Sequence, residues 1–311
     1  MLWAVTSYFN PCRYRRRLAN YRVFRRHLQS PLVTVELSFD GQLQLQPGDA
    51  DVLVSITGRD VMWQKERLLN VALGHLPAEC DMIAWIDCDI IFLNSEWGTA
   101  AQDALNCHDA VQLFDTIDSL GEREGDAPVE SFDSFCKAFM AGRVSPEVVG
   151  AEDIRPFRVR SGFAWAARRE FIQRHSLYDA CIIGSGDRAF LGALIGSFDP
   201  VVHYLQMNRP RAEHYLRWAK PLHDAVRGNI GFCPGTVQHL WHGDRANRRY
   251  HARHVGLATY DFDPSDDIAI DDGGCWRWNS DKPEMHRFVR DYFSARLEDG
   301  SAGLPGGADA P

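Results

Sequence analysis

The feature that most limits what this chain can fold into is a short apolar run that ends on two acids. Residues 82–86 are continuously apolar, Asp87-Cys88-Asp89 follows, and apolar residues resume over 90–93. A run this apolar suits a central strand covered on both faces. Two carboxylates at the end of such a strand are costly unless a cation or hydrogen-bond donors compensate them. In open α/β sheets that end is also where ligands bind. The flanking pattern agrees with an α/β sheet. Strands are expected over 2–7, 32–37, 51–56 and 110–114, and they alternate with helices after Asn10-Pro11, over 61–73 and over 96–105.

The pattern then weakens. Gly, Asp, Glu and Ser over 115–154 predict a mobile loop leading to a short helix. Order returns over 158–167. Helices are expected over 168–174, 187–194, 211–226, 245–254 and 283–297, with an extended segment over 231–241. The Gly-, Ala- and Pro-rich stretch 301–311 reads as a disordered tail.

Composition narrows the function classes. A net charge of -8 excludes a general polyanion binder. A basic stretch runs through Arg13, Arg15, Arg16, Arg17, Arg22, Arg25 and Arg26. It has three readings: a solvated helix face, a diphosphate contact at its first residues, or a surface for an anionic acceptor. No apolar run approaches the roughly 20 residues of a membrane helix, and residues 1–8 read as a first strand rather than a signal peptide. The eight cysteines are scattered without a Cys-x-x-Cys pair, which argues against a zinc ribbon and for a reducing cytoplasm.

Three Asp-x-Asp triplets occur, at Asp49/Asp51, Asp87/Asp89 and Asp261/Asp263. The first lies in a polar turn and the last in a loop before Pro264; the middle one alone interrupts an apolar strand. A divalent ion there would bridge a carboxylate and a diphosphate. A capping pair at a strand end is the plain alternative.

Further blocks surround that site: Asn10-Pro11-Cys12-Arg13, Trp63-Gln64-Lys65-Glu66-Arg67-Leu68-Leu69-Asn70-Val71, Ser161-Gly162-Phe163-Ala164-Trp165-Ala166, Gly184-Ser185-Gly186-Asp187 and His239-Leu240-Trp241-His242. Their order resembles the beta-1,4-galactosyltransferase family and, more loosely, polypeptide N-acetylgalactosaminyltransferases and other GT-A fold sugar transferases. The resemblance spans roughly residues 3–255 as separated blocks. It implies a GT-A-like α/β fold with a central, mostly parallel mixed sheet. One catalytic domain would cover 1–300, its nucleotide-sugar half 1–115 and its acceptor and metal-completing half 155–300. It also implies a donor set of Thr6, Asn10, Arg13, Glu36, Lys65, Arg67, Asn70 and Asp87, with Arg13 on the diphosphate. Asp89 and His242 match the metal ligands, with Asp87 and His239 as further candidates, and Asp187 falls where the family has its catalytic carboxylate. The family's acidic run after the glycines is reduced here to Asp187, and its preceding tryptophan is Ile183. The lack of an anchor points to a cytoplasmic, bacterial or phage-like enzyme.

Chemistry adds to these roles. Imidazole with phosphate oxygens suits Mn²⁺ better than Mg²⁺. His239 and His242 point apart if extended and converge in a turn. Asp187 either caps a helix or takes the acceptor proton, and Gly184 and Gly186 would let backbone approach a sugar closely. Trp165 stacks on a sugar ring or sits in the core. The expected function is transfer of a sugar from a nucleotide diphosphate donor, a UDP-sugar, to an acceptor hydroxyl with inversion. Glycan, protein, small molecule and modified nucleic acid all stand as acceptors. A nucleotidyltransferase is the second reading, opposed by the absence of a Gly-rich loop in Ser7-Tyr8-Phe9-Asn10. An inactive sugar-nucleotide or glycan-binding module is the third.

Overall fold

The computed structural model describes residues 1–123, 125 and 127–300; the tail expected over 301–311 lies outside them. Strand β1 (Leu2–Phe9) sends Val5 and Phe9 to one face and Ala4 and Tyr8 to the other. Helix α1 (Arg15–His27) returns the chain to β2 (Leu32–Ser38), and β3 (Val52–Thr57) adds beyond it, all parallel. After α2 (Lys65–Leu73) the chain crosses β1, and β4 (Met82–Ile86) pairs parallel on its other side. Strand order therefore reverses between β1 and β4. Such a reversal opens a crevice at the carboxyl ends of the two strands, here at Phe9 and Ile86.

Strand β5 (Ile90–Phe92) leaves the main sheet, and α3 (Trp97–Ala104) leads to β6 (Ala110–Gln112). Then β7 (Thr116–Ser119) and β8 (Glu130–Ser134) pair antiparallel, followed by α4 (Phe135–Met140). This pair corrects the mobile loop expected over 115–154. Its buried side chains, Ile117 and Phe132, stand opposite each other. The outer edge of β7 bonds a strand at 236–239, and local periodicity cannot register so distant a partner.

Next come β9 (Val159–Arg160), β10 (Ala164–Arg168), α5 (Arg169–His175), α6 (Gly186–Leu194), α7 (Phe198–Tyr204), α8 (Arg209–Val226) and β11 (Ile230–Phe232). Strand β10 inserts antiparallel between β4 and β6, and β11 adds parallel to β6. The main sheet has seven strands in the order β11-β6-β10-β4-β1-β2-β3, with β4 fourth. Strand β12 (Thr236–His239) belongs to a second sheet of five, ordered β5-β12-β7-β8-β9. The extended segment expected over 231–241 is thus two strands in two sheets. The helix expected over 245–254 is a 3-10 turn at Arg245–Arg248 followed by α9 (Ala252–Ala258). Helix α10 (Pro264–Asp267), the ribbon β13 (Ile268–Ile270) and β14 (Trp276–Trp278), and α11 (Pro283–Ala295) complete the described chain.

The architecture is mixed α/β, a mostly parallel central sheet with helices on both faces. Leu68, Phe190 and Tyr215 from α2, α6 and α8 pack with Val5, Ile83 and Trp85; Tyr21 and Trp97 from α1 and α3 pack with Ala4, Ala84 and Ile86. Trp165 stands opposite Trp85, and Phe190 meets their rings edge-on at 5.5 Å and 5.3 Å. Truncating so enclosed a ring costs about 3–5 kcal/mol. Among the described residues no helix is long and apolar enough to cross a membrane, and all eight cysteines are unpaired.

Candidate active site

Asp87 follows the last residue of β4, and its N–H donates to Phe163 O at 2.7 Å. Lys65, the first residue of α2, places its ammonium 2.6 Å from Asp87 Oδ1 and 2.9 Å from Asp187 Oδ2. Asp187 is brought there by close packing of α6 on α2. A Cβ on Gly186 would lie 2.1 Å from Glu66 Oε1, and one on Gly162 would lie 2.8 Å from Asp187 Oδ2. Position 185, not 187, caps α6; Asp187 sits in the first turn, where the helix dipole favours an anion. Burial lowers the Lys65 ammonium, but Asp187 and Asp87 outweigh it and hold the group charged, well above its usual range. Burial, only partly offset by Lys65 and reinforced by Asp187, pushes the Asp87 carboxyl up.

The second cluster joins the two sheets. In the pairing of β12 with β5, His239 stands opposite Ile90, and Leu240 N–H donates to Asp89 O at 2.8 Å. The chain then turns, so His239 and His242 converge, with 3.0 Å between their Nε2 atoms. Asp89 Oδ2 lies 3.3 Å from His242 Nε2 and 3.8 Å from His239 Nε2. Burial, then the charge of Arg248, pushes both imidazoles down to about 3. Both are therefore neutral near pH 7 and can offer a lone pair to a cation.

A divalent cation fits this donor set. Asp89 Oδ1 is buried without a hydrogen-bond partner, and Asp89, His239 and His242 can turn one ligand atom each to a common point. Arg248 donates to His242 Nδ1 at 2.7 Å, which leaves the ring proton on Nε2. Ligation through Nε2 requires that proton to move to Nδ1, where Glu298 stands 3.8 Å away. Burial would raise the Glu298 carboxyl, but Arg296 and Arg17 outweigh it and hold it well below its usual range.

Both clusters line one cavity of about 560 Å³, together with Ser7 and Phe9 at the end of β1. Nine arginines and Lys65 face five carboxylates around it. Arg160, Arg188, Arg248 and Arg253 are each less than a tenth exposed. Burial, then the neighbouring Arg245, pushes Arg160 down to about 10. Burial would raise the Tyr292 hydroxyl, yet Arg253, Arg296 and Arg248 together hold it below its ordinary range. The cavity is strongly positive.

No family model matches the sequence, and no curated protein matches it. Solved structures similar to the chain include a glucosyl-3-phosphoglycerate synthase from Mycobacterium tuberculosis in complex with Mn²⁺, uridine diphosphate and phosphoglyceric acid, at 15% identity over 82% of this chain and 77% of that one, TM-score 0.39. The catalytic domain of Drosophila beta-1,4-galactosyltransferase 7 in complex with xylobiose is similar at 11% identity over 91% and 97%, TM-score 0.35. A 4-diphosphocytidyl-2C-methyl-D-erythritol synthase from Anaerococcus prevotii is similar at 8% identity over 76% and 89%, TM-score 0.32.

Of the residues singled out in the sequence, Lys65, Asp87, Asp89, Asp187, His239 and His242 line the cavity. Asp87 is held by Lys65 and stands outside the Asp89–His239–His242 cluster. The other donor candidates lie elsewhere, each taken by a local partner. Thr6 is buried and donates to Ile86 O at 2.6 Å, tying β1 to β4. Asn10 closes the turn after β1 on Tyr14 and Gln44. Arg13 grips Asp40 at 2.8 Å, and Arg17 lines the cavity instead. Glu36 accepts from the backbone N–H groups of Gln44 and Leu45. Arg67 and Asn70 both bind Asp179, at 3.0 Å and 3.1 Å. Trp165 is core, its Nε1 donating to Ser161 O. Gly184 lies against Arg253 and Gly186 against Glu66, so both serve the packing of α6. Sequence reasoning quoted Trp63 without a role and missed Glu298 and most of the arginines. The density of arginine over 245–253 was the available signal.

Proposed function

We propose that the chain is a metal-dependent glycosyltransferase that moves a sugar from a nucleotide diphosphate donor, a UDP-sugar, to an acceptor hydroxyl with inversion. The observation that carries this reading is that the Asp89–His239–His242 cluster and the Lys65-bridged Asp187 open into one positive cavity at the reversal between β1 and β4. Asp89, His239 and His242 would hold Mn²⁺, or Mg²⁺, which when bound neutralises charge on the departing diphosphate. Asp187 accepts the proton of the acceptor hydroxyl as its oxygen bonds to the anomeric carbon; the bond to the diphosphate breaks and its electron pair leaves with the nucleotide. Lys65 orients both Asp87 and Asp187, and Arg248 and Arg296 add positive charge on the side of the histidines. The loop after β1, which Asn10 pins to Tyr14 without a glycine, favours sugar transfer over nucleotidyl transfer.

The test is a screen of nucleotide sugars for manganese-dependent hydrolysis. Asp89→Ala is expected to lower that turnover at least about 100-fold while the protein stays folded. Hydrolysis of no nucleotide sugar, or unchanged turnover in the variant, sinks the reading.

A further inference from the structure

We propose that the acceptor carries an oxyanion, a phosphate or a carboxylate, which Arg188 and Arg253 hold beside Asp187. The word acceptor rests on the transferase reading; the oxyanion site does not. Both guanidinium groups line the cavity, and both residues are less than a tenth exposed. Neither forms an ion pair with a carboxylate among the described residues; their partners are carbonyls, hydroxyls and an aromatic ring. Arg188 donates to the carbonyls of Val149 and Ala151 and lies 3.6 Å from the centre of the Tyr204 ring. Arg253 donates to the Tyr292 hydroxyl and, at 2.8 Å, to Ser185 Oγ, while its Nε has no partner. A buried cation without a counter-charge is destabilising, so two in one cavity call for an anion.

The donor does not supply it. A nucleoside diphosphate sugar brings two negative charges and a divalent cation two positive ones, leaving the excess of arginine over carboxylate unchanged. Position also separates this pair from the cations near the metal cluster. Arg160, Arg245 and Arg248 are the charges that act on His239. Arg188 and Arg253 line the same cavity as Asp187, close enough that the charge of Arg253 acts on Arg188, and Arg253 reaches Ser185, two residues before Asp187. An acceptor oxyanion in the fork of these guanidiniums sets the neighbouring hydroxyl at the Asp187 carboxylate.

The experiment uses the full chain with inorganic sulfate as the tetrahedral probe and acetate as the carboxylate probe, titrated by calorimetry with and without UDP and manganese. One saturable site is expected for at least one probe. The tighter probe tells a phosphate-like from a carboxylate preference. Affinity should fall at least about tenfold in Arg188→Gln and in Arg253→Gln and recover in part in Arg188→Lys and Arg253→Lys. If the glutamine variants do not fold, the lysine variants and the rise of the wild-type unfolding midpoint with the bound probe, against chloride at equal ionic strength, give the answer. No saturable binding of either probe, or binding that the arginine variants leave unchanged, overturns the proposal. Sulfate binding through these arginines in a chain that hydrolyses no nucleotide sugar keeps the oxyanion site and removes the transferase; hydrolysis without the site does the reverse.

Discussion

At Lys65 one ammonium lies within 3 Å of two carboxylates from distant parts of the chain, Asp87 and Asp187. Removing a buried partner leaves an uncompensated charge, a loss of about 3–5 kcal/mol. Lys65→Met is therefore expected to lower stability by that order at pH 7, read from the urea midpoint, and Asp87→Asn in the same chain should recover part of it. An unchanged midpoint would mean that the ammonium is not the group neutralising this corner. Residues of this kind were only half legible. Lys65 and both acids stood out in the sequence, but nothing local says which way a long side chain turns. Arg13 lies just before α1 and Arg17 in its first turn; an acid at 40 takes the first and Glu298 takes the second to the cavity wall.

Between elements, two contacts build the site. The pairing of β12 with β5 sets His239 beside Asp89, and the seating of α6 on α2 sets Asp187 beside Lys65. The second contact depends on a missing side chain. In Gly186→Ala the new Cβ would fall 2.1 Å from Glu66 Oε1 and 2.2 Å from its Cδ, so α6 or Glu66 must move. A destabilisation of about 1–3 kcal/mol is expected, measured by chemical denaturation, together with lost donor turnover as Asp187 shifts. Wild-type stability in this variant would show that the two helices have room between them. The 3.6-residue pattern marked α6 within a residue of its start, because its apolar face is continuous. It could not mark β7 and β8, whose only deeply buried hydrophobics are Ile117 and Phe132.

The molecule as a whole carries a net charge of -8 around a cavity where cations outnumber carboxylates two to one, so acids dominate its outside. Two buried groups make its stability depend on pH, with opposite signs. Burial, then Arg253, holds His254 well below 6.5. Below pH 6.5 the unfolded chain takes up a proton the folded one refuses, so that part of the stability is lost as pH falls. Burial, against the pull of Lys65, raises Glu66 to about 8. The folded state keeps a proton that the unfolded chain releases above pH 4.5, so this contribution is lost as pH rises from 4.5 through 8. Glu66→Gln should flatten the alkaline limb, and denaturation midpoints between pH 6 and 9 measure it. Parallel curves for variant and wild type would show that Glu66 is ionised in the folded protein.

The amino-acid sequence alone determined the main strands and helices, the central place of the run ending at Asp87, and the glycine-flanked Asp187, because periodicity and turn chemistry act over a few neighbouring residues. The tertiary structure decided that two histidines close on Asp89, that one lysine spans two acids, and that arginines scattered from 17 to 296 face a common space. Those outcomes follow from strand register and side-chain direction, which are set by partners far away in the chain.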